Sequence, residues 1–78
     1  MSADELFNEL YADVMAKARA NSVSRCETMK VFLGAYQEHK DMPEHGSFKH
    51  HPEYDKAMSG RYRFMHDKAI KYIEAHKR

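Results

Sequence analysis

The sequence has 78 residues, of which 42% are hydrophobic and 32% charged, and its formal net charge is +1. A chain this short has room for one modest core, so we expect a single domain over residues 1–78 and no two-lobed enzyme with a deep cleft. The nearly neutral charge also argues against a DNA mimic, which needs a dense acidic surface.

The first predicted helix covers residues 3–20. Ser2, followed three residues later by Glu5, forms a capping-box pattern that is typical of a helix N-terminus. Lys17 and Arg19 lie near the other end, where positive charge complements the helix dipole, and Asn21 is expected to cap that end. Apolar residues at helical spacing predict one core face, formed by Ala3, Leu6, Phe7, Leu10, Tyr11, Val14 and Ala18.

A second capping-box pattern, Ser24 with Glu27, predicts another helix over about residues 25–40. The short connection favours an antiparallel or steeply crossed helical hairpin. Gly34 lowers the local helix propensity but could allow another helix to approach closely. The expected core face consists of Cys26, Met29, Phe32, Leu33 and Tyr36, while Val31 and Ala35 point elsewhere.

Residues 41–51 have no helical period and contain Pro43 and Gly46, so they are predicted to form a connector, with Phe48 anchored at the core edge. A long C-terminal helix over about 52–76 follows, and Gly60 is the point where it could bend or restart. Its expected core face consists of Tyr54, Met58, Tyr62, Met65, Ala69, Tyr72 and Ile73. The sequence thus predicts an all-α fold, a small three-helix bundle made of a helical hairpin plus this long helix.

The single cysteine excludes an intramolecular disulfide framework, and the six methionines without a secretory leader suit a reducing compartment. No apolar run approaches the roughly 20 residues that cross a bilayer. We therefore expect a soluble cytoplasmic protein. Its charge is uneven: residues 1–39 contain four basic and six acidic residues, whereas residues 40–78 contain nine and six, which permits an anionic partner.

A cluster of histidines and glutamates could offer nitrogen and oxygen ligands to a metal ion. Its spacing matches no recognisable zinc motif, and adjacent histidines diverge unless the chain turns sharply. Solvated side chains are therefore the preferred interpretation, and neither a metal site nor a cofactor is predicted. The cluster comprises His39, Glu44, His45, His50, His51 and Glu53.

Catalytic patterns are weak throughout the chain. Cys26 with His66 and Asp67 could suggest a thiol nucleophile and its base, but neighbouring helical residues point about 100° apart, so Asp67 is badly placed to orient His66. Cys26 also falls on the expected core face, which predicts a buried inert thiol. No phosphate-binding glycine loop or nucleophile elbow occurs, so we do not expect an enzyme.

The long helix has a second stripe, in which cations and an aromatic residue recur at helical spacing beside the core face. Such a stripe can contact a partner, because cations neutralise phosphates and an exposed aromatic ring can stack on a base. The alternative is a core rim, with the ring buried and the cations extending to solvent. The stripe consists of Arg61, Phe64, Lys68 and Lys71.

By elimination, the sequence favours a small non-catalytic protein-binding module, an adaptor or inhibitor that docks on a larger protein partner. The four residues of the stripe are the predicted partner-binding residues. The alternative function is nucleic-acid binding through the same stripe. The sequence leaves the oligomeric state open.

Overall fold

A computed structural model describes residues 2–38 and 54–77, and this part of the chain folds into three α-helices without strands. The helices are α1 (Ala3–Ala20), α2 (Arg25–Glu38) and α3 (Tyr54–His76). They pack against one another as the predicted all-α three-helix bundle. The predicted ends at 39–40 and 52–53, and the connector with Phe48, lie outside the described residues.

Local hydrogen bonds fix both ends of α1, as the sequence predicts. The Glu5 backbone N–H donates to the Ser2 hydroxyl at 3.2 Å, which satisfies one of the free donors of the first turn. Asn21 is the C-cap, and the next two residues close a Schellman motif: Ser22 N–H donates to the Arg19 carbonyl at 3.2 Å and Val23 N–H to the Ala18 carbonyl at 2.8 Å. The motif reverses the chain directly after α1.

The same turn leads into α2. Ser22 adopts a φ of 56°, the left-handed conformation that this motif requires, and Val23 is buried against the core. The Ser24 hydroxyl accepts the Glu27 backbone N–H at 3.2 Å, so the second predicted cap is also present. Thr28 is fully buried, and its hydroxyl donates to the Ser24 carbonyl at 2.7 Å, which satisfies a polar group inside the core.

The long helix α3 packs extensively against both α1 and α2, which contact each other less. Its predicted core face is confirmed for Met58, Tyr62, Met65, Ala69 and Ile73, all of which are buried. Four aromatic rings from the three helices meet with centroids 5.0 to 6.2 Å apart, which suits edge-to-face and offset packing. These rings belong to Phe7, Tyr11, Phe32 and Tyr62.

The two helical glycines are exposed. α3 continues without interruption through Gly60, so the restart considered for this position does not occur. A Cβ atom on Gly34 would meet nothing within 4 Å, so the expected close approach of another helix at this residue is wrong. Both glycines lie where a side chain would extend into solvent.

The predicted core face of α2 is wrong for part of its length. Phe32 is fully buried as expected, but Cys26 and Leu33 are exposed, while Ala35 is buried. Thr28, Phe32 and Ala35 lie on the face that packs into the core. The core face is thus rotated around the helix axis relative to the predicted one, because α2 packs mainly on α3 and less on α1. Its other apolar edge remains open to solvent.

Candidate functional site

The predicted partner-binding stripe on α3 does not form one uniform surface. Lys68 and Lys71 are exposed and Phe64 is half-buried against the core, as a rim residue would be. Arg61 is only 6% exposed, so its expected position on a solvent-facing flank is wrong. The partner-binding role of these residues stays a prediction.

Two cations of the stripe, Arg61 and Lys68, make contacts within the protein. The guanidinium carbon of Arg61 lies 4.2 Å from the centroid of the Tyr36 ring, which is a cation–π contact between α3 and α2. The Nζ atom of Lys68 lies 5.5 Å from the Phe64 ring centroid and 3.8 Å from a carboxylate oxygen of Glu38. Arg61 therefore contributes to helix packing, and the exposed charge that remains for a partner is smaller than the sequence suggests.

A polar cluster links α1 to α3. The Asp13 carboxylate oxygen Oδ2 lies 2.7 Å from His66 Nε2 and 2.7 Å from Lys17 Nζ. The hydrogen bond with His66, followed by that with Lys17, lowers the pKa of Asp13 below its ordinary value of 3.8. Sequence reasoning missed this cluster because Asp13 and His66 are 53 positions apart, and no local pattern connects them.

The structure places the residues of the catalytic combination suggested by the sequence, Cys26, His66 and Asp67. As expected, Asp67 is a poor orienting group, since its Oδ1 atom lies 3.7 Å from His66 Nδ1, beyond hydrogen-bond distance. Cys26 is exposed at the start of α2, so the prediction of a buried thiol is wrong.

An open groove lies between α1 and α2, and the sequence pattern does not predict it. Its volume is about 530 Å³, and apolar atoms dominate its lining. We call this surface the α1–α2 groove; its lining residues are Tyr11, Met15, Arg25, Cys26 and Met29. The sequence contains one sign of this surface, the helical spacing of the apolar residues Cys26, Met29 and Leu33. Periodicity alone assigns these residues to the core, so it does not identify them as a groove.

The apolar surface continues along α2 beyond the α1–α2 groove. Leu33 lies one helical turn past Met29 on the same face and is 48% exposed, a large exposure for a leucine. The continuous apolar edge is formed by Cys26, Met29 and Leu33, and it does not include the buried residues Thr28, Phe32 and Ala35. Single exposed leucines are ordinary, but an exposed leucine adjoining an apolar groove extends a surface that a partner could cover.

The histidine-rich cluster lies outside the described residues, so its interpretation as solvated side chains stays a prediction. Residues 2–38 and 54–77 contain no group of three or more potential ligands that could hold a metal ion. In the same ranges, no helix is sufficiently long and apolar to cross a membrane. The chain matches no protein-family model, and it has no match among curated proteins or solved structures.

Proposed function

We propose that this protein is a small non-catalytic protein-binding module, an adaptor or inhibitor that docks on a larger protein through the α1–α2 groove. The observation that carries the proposal is the apolar edge of α2, which has the periodicity of a core face but is exposed at Cys26 and Leu33 and only half-buried at Met29. Burying such a surface against a partner removes apolar area from water and is favourable by roughly 25 cal/mol per Å² before the costs of association.

The residue types in the α1–α2 groove suit a protein interface. Met15 and Met29 have flexible, polarisable side chains that can adapt to different partner shapes. Tyr11 combines a large apolar ring with a hydroxyl group, a combination enriched at interfaces. Both α1 and α2, which carry these side chains, pack against α3. A partner could therefore dock without rearrangement of the bundle.

The stripe on α3 is the second candidate surface for the same function. Phe64, Lys68 and Lys71 would contribute rim contacts, and rim charges mainly affect the association rate. Nucleic-acid binding receives less support, because Arg61 is buried and Lys68 lies near Glu38. Two exposed lysines would release few counterions from a phosphate backbone. The cytoplasmic location remains an expectation from the composition.

Affinity capture from the native host, with and without nuclease, tests this proposal. We expect wild-type protein to retain a partner after nuclease treatment and at raised salt, and Met29→Glu to lose it, since a carboxylate would have to be buried at the interface. The matched control is Ala16→Glu, which adds the same charge at an exposed position on α1 outside the groove lining. Thermal melts should show that both variants remain folded.

The result that contradicts the proposal is capture unaffected by Met29→Glu. If capture is instead lost in Lys68→Glu combined with Lys71→Glu, the docking surface is the stripe on α3. If wild-type capture is in addition abolished by nuclease and falls steeply with salt concentration, the partner is a nucleic acid. Arg61 is excluded from this test because its substitution would change the packing of α3 on α2.

A further inference from the structure

The α1–α2 groove is polar at one end and apolar at the other. Arg25 lies at the start of α2, Cys26 and Met29 follow along the α1–α2 groove, and Leu33 extends the apolar edge. At a rise of about 1.5 Å per residue, this edge is roughly 12 Å long from Arg25 to Leu33, a little more than two helical turns. An occupant must match both its length and its change in character.

The charge of Arg25 indicates which partner chemistry fits the polar end. Arg25 is the first residue of α2, where the helix dipole is positive and a cation is unfavourable. Glu27, the acidic residue of this first turn, lies 3.4 Å from Lys30 Nζ, and Arg25 forms no ion pair with any other residue in the described ranges. A carboxylate from a partner would neutralise Arg25 and interact favourably with the positive end of α2.

The secondary structure and the lining residues around the α1–α2 groove favour a helical occupant. All the elements in the described ranges are helices, so they present no sheet edge to which an extended peptide could add. A polyproline segment usually docks between several aromatic rings, whereas Tyr11 is the only aromatic residue in the lining. An amphipathic helix instead inserts apolar side chains at i, i+3 or i+4, and i+7, a span of about 10 Å that matches the apolar edge from Cys26 to Leu33.

We propose that the occupant is an amphipathic helix of a partner protein, with its apolar side chains in the α1–α2 groove and an aspartate or glutamate against Arg25. This inference rests on the proposed function and specifies the partner class. The carboxylate lies at the end of the partner helix that meets the start of α2. The apolar side chains lie along Met29 and towards Leu33.

A displayed library of amphipathic helices tests the proposal directly, because selection from it does not require an identified partner. The library keeps one apolar stripe and varies the flanking positions among glutamate, lysine, glutamine and serine. It is selected in parallel on wild-type protein and on Arg25→Glu, and helices that also bind Met29→Glu are removed. We expect glutamate to be enriched at one end on wild type and lysine at that end on Arg25→Glu.

Synthetic copies of the selected helices provide the quantitative check. The glutamate and lysine forms should differ in wild-type affinity by roughly three- to tenfold at low salt, and the preference should reverse on Arg25→Glu. Cys26 is the single cysteine of the chain and is exposed in the α1–α2 groove, so its alkylation rate should fall when a selected helix is bound. Arg25→Glu should remain folded, because an acidic residue suits the first turn of a helix.

The proposal is overturned if no helix is enriched, if the charge preference does not reverse, or if bound helices leave Cys26 alkylation unchanged. Its failure differs from that of the proposed function. If Met29→Glu abolishes capture but acidic helices are not preferred, the groove still docks a protein and only this partner class is rejected. Capture that is independent of Met29 would reject the groove itself.

Discussion

Asp13 shows how a single side chain can connect two helices in this bundle. Its carboxylate accepts from Lys17 on the same helix and lies 2.7 Å from the ring nitrogen of His66 on α3. The nearby Asp67 carboxylate is 3.7 Å from the other ring nitrogen, which adds a second negative charge beside His66. The charged form of Asp13 is thus stabilised by the fold.

The lowered pKa of Asp13 predicts a pH dependence of stability. A depressed folded-state pKa contributes stability above the ordinary value of 3.8, and this contribution disappears as the pH falls through the lower folded-state pKa. Asp13→Asn should therefore be less stable than wild type at neutral pH, and the difference should vanish in strong acid. Because the side chain is 40% exposed, we expect less than about 1 kcal/mol.

Urea unfolding at a series of pH values measures this effect. Glu9→Gln is the control, since it removes a carboxylate from an exposed position on the same helix. Equal pH dependence in Asp13→Asn and wild type would show that the cluster does not contribute to stability.

The burial of Arg61 is a second property of a single residue that depends on the neighbouring helices. The sequence places it with the exposed cations of α3, whereas in the fold it is 6% exposed and lies over the Tyr36 ring. A long basic side chain can either extend into solvent or pack against other helices, because its aliphatic part packs like a hydrophobic residue. The position of the surrounding helices determines which of the two occurs.

At the scale of elements, the α1–α2 turn is specified by local chemistry, but it contains a residue that is not ideal. Ser22 has a φ of 56°, in the left-handed region that glycine adopts at lower cost. The Schellman hydrogen bonds and the burial of Val23 maintain this conformation. A residue better suited to the position should stabilise the whole hairpin.

Ser22→Gly should raise the free energy of unfolding by roughly 0.5–1 kcal/mol, because it relieves the steric cost of the left-handed conformation. Ser22→Val should lower it, since a β-branched side chain fits this region poorly. Thermal denaturation measures the stability of both variants. The melting temperature of Ser22→Gly should rise by about 4–8 °C per kcal/mol of added stability in a domain of this size. A lower melting temperature for Ser22→Gly would contradict the strain argument.

At the scale of the molecule, α3 provides most of the packing that holds the bundle together. It contacts both other helices along its length, whereas α1 and α2 contact each other less. Met65 is 1% exposed near the middle of α3, while Leu10 on α1 is only partly buried. The two residues therefore differ in how much stability they contribute, although both belong to predicted core faces.

Met65→Ala should cost roughly 2–5 kcal/mol, since it leaves a cavity in the closed part of the core. Leu10→Ala should cost less, because its site is partly open and less apolar area is lost from burial. Circular dichroism should show a predominantly helical protein, and its denaturation by urea should give the two free energies. Equal losses of unfolding free energy in the two variants, or no loss in either, would show that Met65 is not more deeply buried in the core than Leu10.

The sequence by itself determined the fold class, the capped ends of α1 and the core faces of α1 and α3. These features depend on hydrogen bonds within a few residues and on a period of 3.6, so they can be recognised in a single stretch of chain. Glu5 and Ser2, for example, form the same cap whatever packs on the other side of the helix.

The tertiary structure decided which apolar edge of α2 is buried and which remains open. The core positions Thr28, Phe32 and Ala35 and the open edge Cys26, Met29 and Leu33 both repeat at helical spacing. Only the positions of α1 and α3 distinguish these edges, and the same is true of the burial of Arg61 and the contact between Asp13 and His66. Each depends on groups that are distant in sequence, so local periodicity and capping contain no information about them.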